Sequence, residues 1–163
     1  MLKKLFLGTN FNICFEPGRS LVADAGILVT KVIREKKTIT KNFLIVDAGM
    51  NDFIRPTLYN TYHRIEPILK DISRKQFFYD IVGPICETGD TFATGIKLTN
   101  ISEGDLVAIN SAGAYGAVMS SFYNSRPLIA EVMVKDSNFE IVRKKLDISS
   151  LLNYESMPDW IKT

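Results

Sequence analysis

Cys86 and Glu87 stand side by side in Gly83-Pro84-Ile85-Cys86-Glu87-Thr88-Gly89-Asp90. A thiol is ordinarily protonated at neutral pH and can deliver a proton to a carbanion. The neighbouring carboxylate can hold an ammonium group of the molecule that carries that carbanion. Glycines on both sides allow the tight backbone conformations of a projecting turn. The same stretch also reads as a hairpin tip with a half-buried cysteine, since free cysteines commonly pack as small hydrophobes.

Four more stretches carry residues with chemical potential. Phe15-Glu16-Pro17-Gly18-Arg19-Ser20 sets a glycine, whose backbone an anion can approach closely, beside a guanidinium. Arg55-Pro56-Thr57-Leu58-Tyr59 spaces a planar cation four residues from a phenol, which suits a carboxylate clamp or a plain surface arginine. Ala112-Gly113-Ala114-Tyr115-Gly116 surrounds an aromatic ring with small residues that leave room for a ligand or for another strand. Met119-Ser120-Ser121-Phe122-Tyr123-Asn124-Ser125-Arg126-Pro127 contains a further cation, Arg126, whose setting reads as structural or interfacial.

In this order the five motifs closely resemble the C-terminal part of the diaminopimelate decarboxylase family, over about Asn10 to Val134. These are pyridoxal-phosphate enzymes of the alanine racemase-like barrel group. The resemblance implies decarboxylation of meso-diaminopimelate to L-lysine with pyridoxal 5'-phosphate as the electron sink. It implies that Glu16, Pro17, Gly18 and Arg19 help to hold the cofactor phosphate, and that Tyr115 reaches both cofactor and substrate. Arg19, Arg55, Tyr59, Glu87 and Tyr115 are then the substrate-binding residues, with Glu87 on the distal ammonium. Cys86 matches the proton donor. It implies a homodimer in which the Cys86 loop reaches into the partner's site.

The resemblance also sets an architecture: residues 1–26 as the tail of an α/β barrel that ends in its last strand, and residues 27–163 as a C-terminal β domain. The Schiff-base lysine belongs to the barrel, and no lysine of this sequence matches its motif. The chain by itself is therefore expected to be inactive, with a separate barrel chain as a possible partner. A non-catalytic remnant or interaction module is the alternative. A relative acting on ornithine, arginine or carboxynorspermidine fits less well, because the ornithine enzymes resemble Cys-Asp where this sequence has Cys86-Glu87. The tail departs from the family: Arg143-Lys144-Lys145-Leu146-Asp147 keeps the charge but not the glutamate and threonine usual near there.

Positioning these residues falls to a mainly β chain. Phe11 to Phe15, Ile27 to Ile33, Phe43 to Val46, Phe77 to Val82, Leu106 to Asn110 and Ile129 to Val134 are apolar or β-branched runs. The first is expected to bury Cys14. Ser20 can cap a helical turn that Gly26 ends. Lys36-Lys37 suits a hairpin turn, Ser102-Glu103-Gly104-Asp105 a tight turn, and Tyr59 to His63 a loop or one helical turn. Short strands at regular spacing predict an antiparallel β-sandwich or barrel of Greek-key type. Length and pattern alone stop at that fold.

Composition excludes several classes. With 163 residues and 46% apolar content the chain can build its own core. A net charge of +2 argues against nucleic acid or an anionic membrane as partner. Two cysteines are too few for a disulfide scaffold, which fits a cytoplasmic protein. Met1 to Gly8 briefly imitates a secretory leader but breaks at Thr9, and no run approaches the ~20 residues of a membrane span. No two His, Cys or carboxylate residues have a metal-ligand spacing, and His63 reads as a packing or surface residue.

Overall fold

The structure, a computed structural model, describes residues 2–69, 75–99 and 101–161; Met1 and Thr163, the outer ends of the two expected domains, lie outside them. Strand β1 (Leu28–Lys37) alternates inward Leu28, Thr30 and Val32 with outward Val29, Lys31 and Ile33. That period of two is what a sheet with one buried face selects. It pairs antiparallel with β2 (Asn42–Val46) and with β6 (Leu106–Ile109). Between them in sequence come β3 (Ile65–Pro67), β4 (Gln76–Val82) and β5 (Thr91–Thr99). The six form one sheet in the order β3-β6-β1-β2-β4-β5, and edge strand β3 comes back against edge strand β5. The nearly closed sheet wraps Val32, Leu44, Val46, Phe53, Tyr79, Ile81, Val107 and Ile109, each almost wholly buried.

The expected mainly β architecture is therefore present, with one parallel pairing, β2 with β4, inside an otherwise antiparallel sheet. A parallel pair needs a crossover. The intervening chain supplies it, through a turn at Asp47–Phe53 and helix α3 (Arg55–Tyr59), which follows the one-turn helices α1 (Leu2–Leu5) and α2 (Arg19–Val22). This crossover carries one of the candidate motifs, so the sheet order itself brings Arg55 beside the β4–β5 loop that holds Cys86. A separate two-stranded sheet, β7 (Glu131–Lys135) with β8 (Asn138–Arg143), follows.

Local readings differ from the expectation at four points. Phe11 to Phe15 is not a strand: no described strand pairs with it, and Phe11, Ile13 and Phe15 are exposed. Cys14 accordingly is exposed, not core. Ser20 does not cap; the helical turn of Arg19–Val22 starts after Gly18, two residues earlier than a Ser20 cap would allow. Lys36 and Lys37 are strand residues paired with Phe43 and Asn42. The turn falls at Thr38–Lys41, closed by Thr38 N–H to the Lys41 carbonyl at 2.8 Å.

Tyr59 closes α3, and left-handed Asn60 begins the loop that follows. Asp105 N–H reaches the Ser102 carbonyl at 3.1 Å, which is the tight turn expected there.

Residues 19–26, in contrast with the segment before them, are docked. The Ser111 hydroxyl donates to Asp24 at 2.5 Å, Ala112 N–H to the Gly26 carbonyl at 2.8 Å, and Gly113 N–H to the Ala23 carbonyl at 3.0 Å. In the isolated chain, amide exchange should be fast from Phe11 to Phe15 and slow at Val29 to Val32, because only the latter amides sit in a sheet ladder. Slow exchange at Ile13 to Phe15 would show a barrel-like strand after all.

Candidate active site

Docking of residues 19–26 on the 111–113 loop settles where the small residues around Tyr115 spend their space. A Cβ at Gly113 would run into the Val22 carbonyl oxygen, so the missing side chain admits another backbone segment and not a ligand. The effect is to bring Arg19 to Tyr115, whose ring centroid lies 5.6 Å from the guanidinium carbon. Tyr115 itself has φ +59°. That region is unfavourable for a bulky residue and costs on the order of 1–3 kcal/mol, so the surrounding contacts must hold it there. Held so, the ring stays nearly half exposed.

On the same ring Arg55 converges, its guanidinium carbon 5.4 Å from the Tyr115 centroid and 5.3 Å from that of Tyr59, one helical turn further on. Arg55 is 7% exposed, which overturns any reading of it as a plain surface arginine. Among the described residues no carboxylate pairs with it. Its guanidinium lies against two ring faces with no anion beside it among the described residues, an arrangement that suits an incoming carboxylate or phosphate. Arg19, Tyr115, Arg55 and Tyr59 thus form one cationic, hydroxyl-bearing patch.

The Cys86 loop is rigid for an exposed turn. Asp90 is 3% exposed and its carboxylate accepts Ile85 N–H and Met50 N–H, each at 2.7 Å. Gly83 N–H meets the Asp90 carbonyl at 2.9 Å, and Asp90 N–H the Glu87 carbonyl at 3.0 Å. Ile85 is buried as the anchor, while Cys86 and Glu87, which follow it, stand exposed. Glu87 accepts Gly89 N–H at 3.3 Å, and the amide nitrogen of Asn124 lies 3.9 Å from the Cys86 sulfur. Cys86 is therefore presented outward, not half-buried.

Beneath both loops lies a polar knot of which the sequence motifs singled out only Arg126. Burial pushes the carboxyls of Asp52 and Asp90 above the usual aspartate range, against the pull of backbone N–H groups and Arg126. Arg126 donates to Asn51 at 2.8 Å and to the Asp47 carbonyl at 2.6 Å, and lies 3.7 Å from Asp52, the structural role its setting suggested. Asp47 in turn accepts the Thr30 hydroxyl at 2.6 Å, pinning the turn into α3 to strand β1. His63 packs, edge-on to Phe53 at 4.7 Å and with Nδ1 3.0 Å from the Asn110 carbonyl.

Of the expected site residues, Arg19, Arg55, Tyr59 and Tyr115 are brought together; Cys86 and Glu87 sit on the neighbouring loop. Glu16, Pro17 and Gly18 are exposed at the end of the unpaired segment. Asp90, Asn124, Asn51 and Thr57 were missed. An aspartate directly after Thr88-Gly89 was the one visible sign, since such residues often fold a turn back on itself.

Residues 20–113 match the model of the pyridoxal-dependent decarboxylase C-terminal sheet domain. The chain belongs to this family. A diaminopimelate decarboxylase of Zymomonas mobilis is 48% identical over 161 residues, which is 99% of this chain and 38% of that protein. A crystal structure from Aquifex aeolicus superposes with a TM-score of 0.86 at 46% identity, covering 94% of this chain and 38% of the other. The Helicobacter pylori diaminopimelate decarboxylase complexed with L-lysine gives 0.82 at 42% identity, over 93% and 37%. The chain thus spans a little over a third of the length of the pyridoxal-dependent decarboxylases it matches. No helix among the described residues is long and apolar enough to cross a membrane, and no described cluster of His, Cys, Asp or Glu could hold a metal ion.

Proposed function

We propose that this chain supplies the substrate-reading and proton-donating part of a pyridoxal-phosphate-dependent decarboxylase that converts meso-diaminopimelate to L-lysine in the cytoplasm. The observation that carries the reading is Arg55, a largely buried cation without a carboxylate partner among the described residues, in a chain whose Glu87 stands exposed beside Cys86. A second amino-acid head needs a guanidinium for its carboxylate and an anion for its ammonium, the first from this chain's Arg55 and the second from the Glu87 of a second copy. Tyr59 adds a hydroxyl on the Arg55 side.

Arg19 and Tyr115 fit a phosphate or carboxylate in their chemistry, a guanidinium and a phenol presented together. Glu16, Pro17 and Gly18 adjoin Arg19 and would complete that wall once the exposed segment before it is covered. When bound, the cofactor supplies the sink for the electron pair that decarboxylation leaves. Cys86 then holds the proton destined for the α-carbon, and its exposure on a pinned loop suits delivery into a site completed by a second copy. The barrel and its lysine come from outside these 163 residues. Exposed Phe11, Ile13 and Phe15 are the surface such a barrel would cover.

The test is carbon dioxide release from meso-diaminopimelate with added pyridoxal phosphate. The chain alone is compared with the chain co-expressed with the barrel portion of a full-length relative. Release on co-expression and none from the chain alone is expected. A soluble complex without any release would favour the non-catalytic remnant.

A further inference from the structure

Two loops of one chain meet at the Cys86 sulfur. The first is the 83–90 turn. The Asp90 carboxylate holds it through Ile85 N–H and Met50 N–H, and the Thr57 hydroxyl donates to its Gly89 carbonyl at 2.6 Å. The second is the segment around Asn124. Ser121 N–H donates to the Asn51 carbonyl at 2.9 Å, and Arg126 Nε to the Asn51 side-chain oxygen at 2.8 Å. Asn51 therefore grips this segment on both sides of Asn124, while Met50, its neighbour in the chain, grips the other loop. One turn fixes both.

Between those grips the backbone passes through Asn124 at φ +58° and Ser125 at φ +55°. Asparagine is among the few residues besides glycine that tolerate the left-handed region, and two such residues in succession need surroundings that hold them there. The result is that the Asn124 amide reaches the Cys86 loop, its nitrogen 3.9 Å from the sulfur. A neutral thiol is a weak acceptor. A thiol that has lost its proton is a strong one.

We infer that Asn124 is a positioning residue for proton transfer: its amide N–H orients the Cys86 sulfur and holds the charge that forms on it. This rests on the functional reading above. When Cys86 acts, the S–H bond breaks and its electron pair stays on sulfur. The proton is taken by the electron pair on the α-carbon. A donor already fixed beside the sulfur meets the new charge without rearranging. Both residues ride on the same chain, so their contact enters intact whichever site the loop serves.

The experiment uses the assembled enzyme with two variants. Asn124→Gly removes the amide and suits the local φ of +58°; Asn124→Asp keeps the shape and replaces the donor with an anion. In Asn124→Gly kcat should fall about tenfold, the scale of one hydrogen bond to a charged acceptor, with KM within about twofold and Tm unchanged. Asn124→Asp should lose more. Without substrate, iodoacetamide should alkylate Cys86 about threefold more slowly in Asn124→Gly, because the charged sulfur is scarcer though more reactive. Mass spectrometry of the peptide containing Cys86 reads that rate apart from Cys14. Mixing Asn124→Asp chains with Cys86→Ala chains should restore nothing, since neither carries the intact pair. Unchanged kcat in both variants, alkylation at the unsubstituted rate, a Tm that falls in step with kcat, or recovery on mixing would each overturn the inference. An unsubstituted assembly that does not act on meso-diaminopimelate, or a Cys86→Ala enzyme of undiminished kcat, would instead overturn the functional reading on which it rests.

Discussion

Cys86→Ala should lower kcat of the assembled enzyme by about 10²- to 10⁴-fold, the usual contribution of a positioned proton donor, with KM changed far less. The sulfur is exposed, and its nearest recorded polar neighbour is the Asn124 amide at 3.9 Å, so little packing is lost on substitution. Thermal stability of the chain should stay within about 0.5 kcal/mol, as for other exposed positions. That separation is the point of the experiment: a folded, cofactor-loaded enzyme with an intact substrate clamp and no donor. Because the loop is proposed to serve the partner's site, mixing the Cys86→Ala chain with an Arg55→Ala chain should restore part of the activity. In such a mixed dimer one site receives both an intact Arg55 and an intact Cys86. No recovery on mixing would mean that Cys86 serves the site of its own subunit. A kcat that survives Cys86→Ala would remove the thiol from the reaction.

What the sequence showed of this arrangement follows from what each element is made of. β1, β2, β4 and β6 are β-branched or aromatic runs with a buried face, and their residues announce it. β5 does not: Gly95, with φ +60°, interrupts it where Asp80 of β4 accepts its N–H at 2.7 Å, and the pairing shifts register there. β8 has six residues with no buried face, and β3 ends after three at Pro67, so neither carries a pattern to read. The parallel pairing of β2 with β4 depends on the whole crossover and leaves no local mark.

The site shows the same division. Cys86, Glu87, Arg55 and Tyr115 are distinctive residue types at motif spacing. Thr57, Asn51 and Asp90 act by satisfying backbone groups of distant segments, and such pairing becomes visible only once the segments meet. Cys14 misled for a related reason: an apolar run predicts burial, but burial needs a neighbour, and none of the described strands provides one.

Asp90→Ala should be the most destabilising single change near the site, by about 3 kcal/mol. It strands Met50 N–H and Ile85 N–H together, and each orphaned buried donor costs about 1–3 kcal/mol. For a chain of this size that lowers Tm by roughly 10 °C, readable by circular dichroism. Activity of the assembled enzyme should fall with it, since Ile85 and Met50 anchor the loop of Cys86 and the entry to α3 respectively.

The pH dependence distinguishes the carboxylate from its shape. Burial raises the Asp90 and Asp52 carboxyls above the ordinary aspartate value of 3.8, so the folded state holds their protons in a range where the unfolded chain has released them. Their contribution is fully present below 3.8 and is lost as pH rises through the folded values. Asp80 opposes this. Burial works to raise it, but the Lys41 ion pair at 2.7 Å and the Gly95 N–H outweigh that and hold it below 3.8, so its contribution is lost as pH falls through that lower value. Urea unfolding midpoints of the unsubstituted chain should therefore decline as pH rises from about 4 towards neutrality through the Asp90 and Asp52 window. Asp90→Asn, which keeps the shape and cannot ionise, should flatten that decline while Asp80→Asn leaves it in place. A decline of equal slope in Asp90→Asn would assign it to Asp52 alone and would mean that Asp90 is held ionised by its two N–H donors.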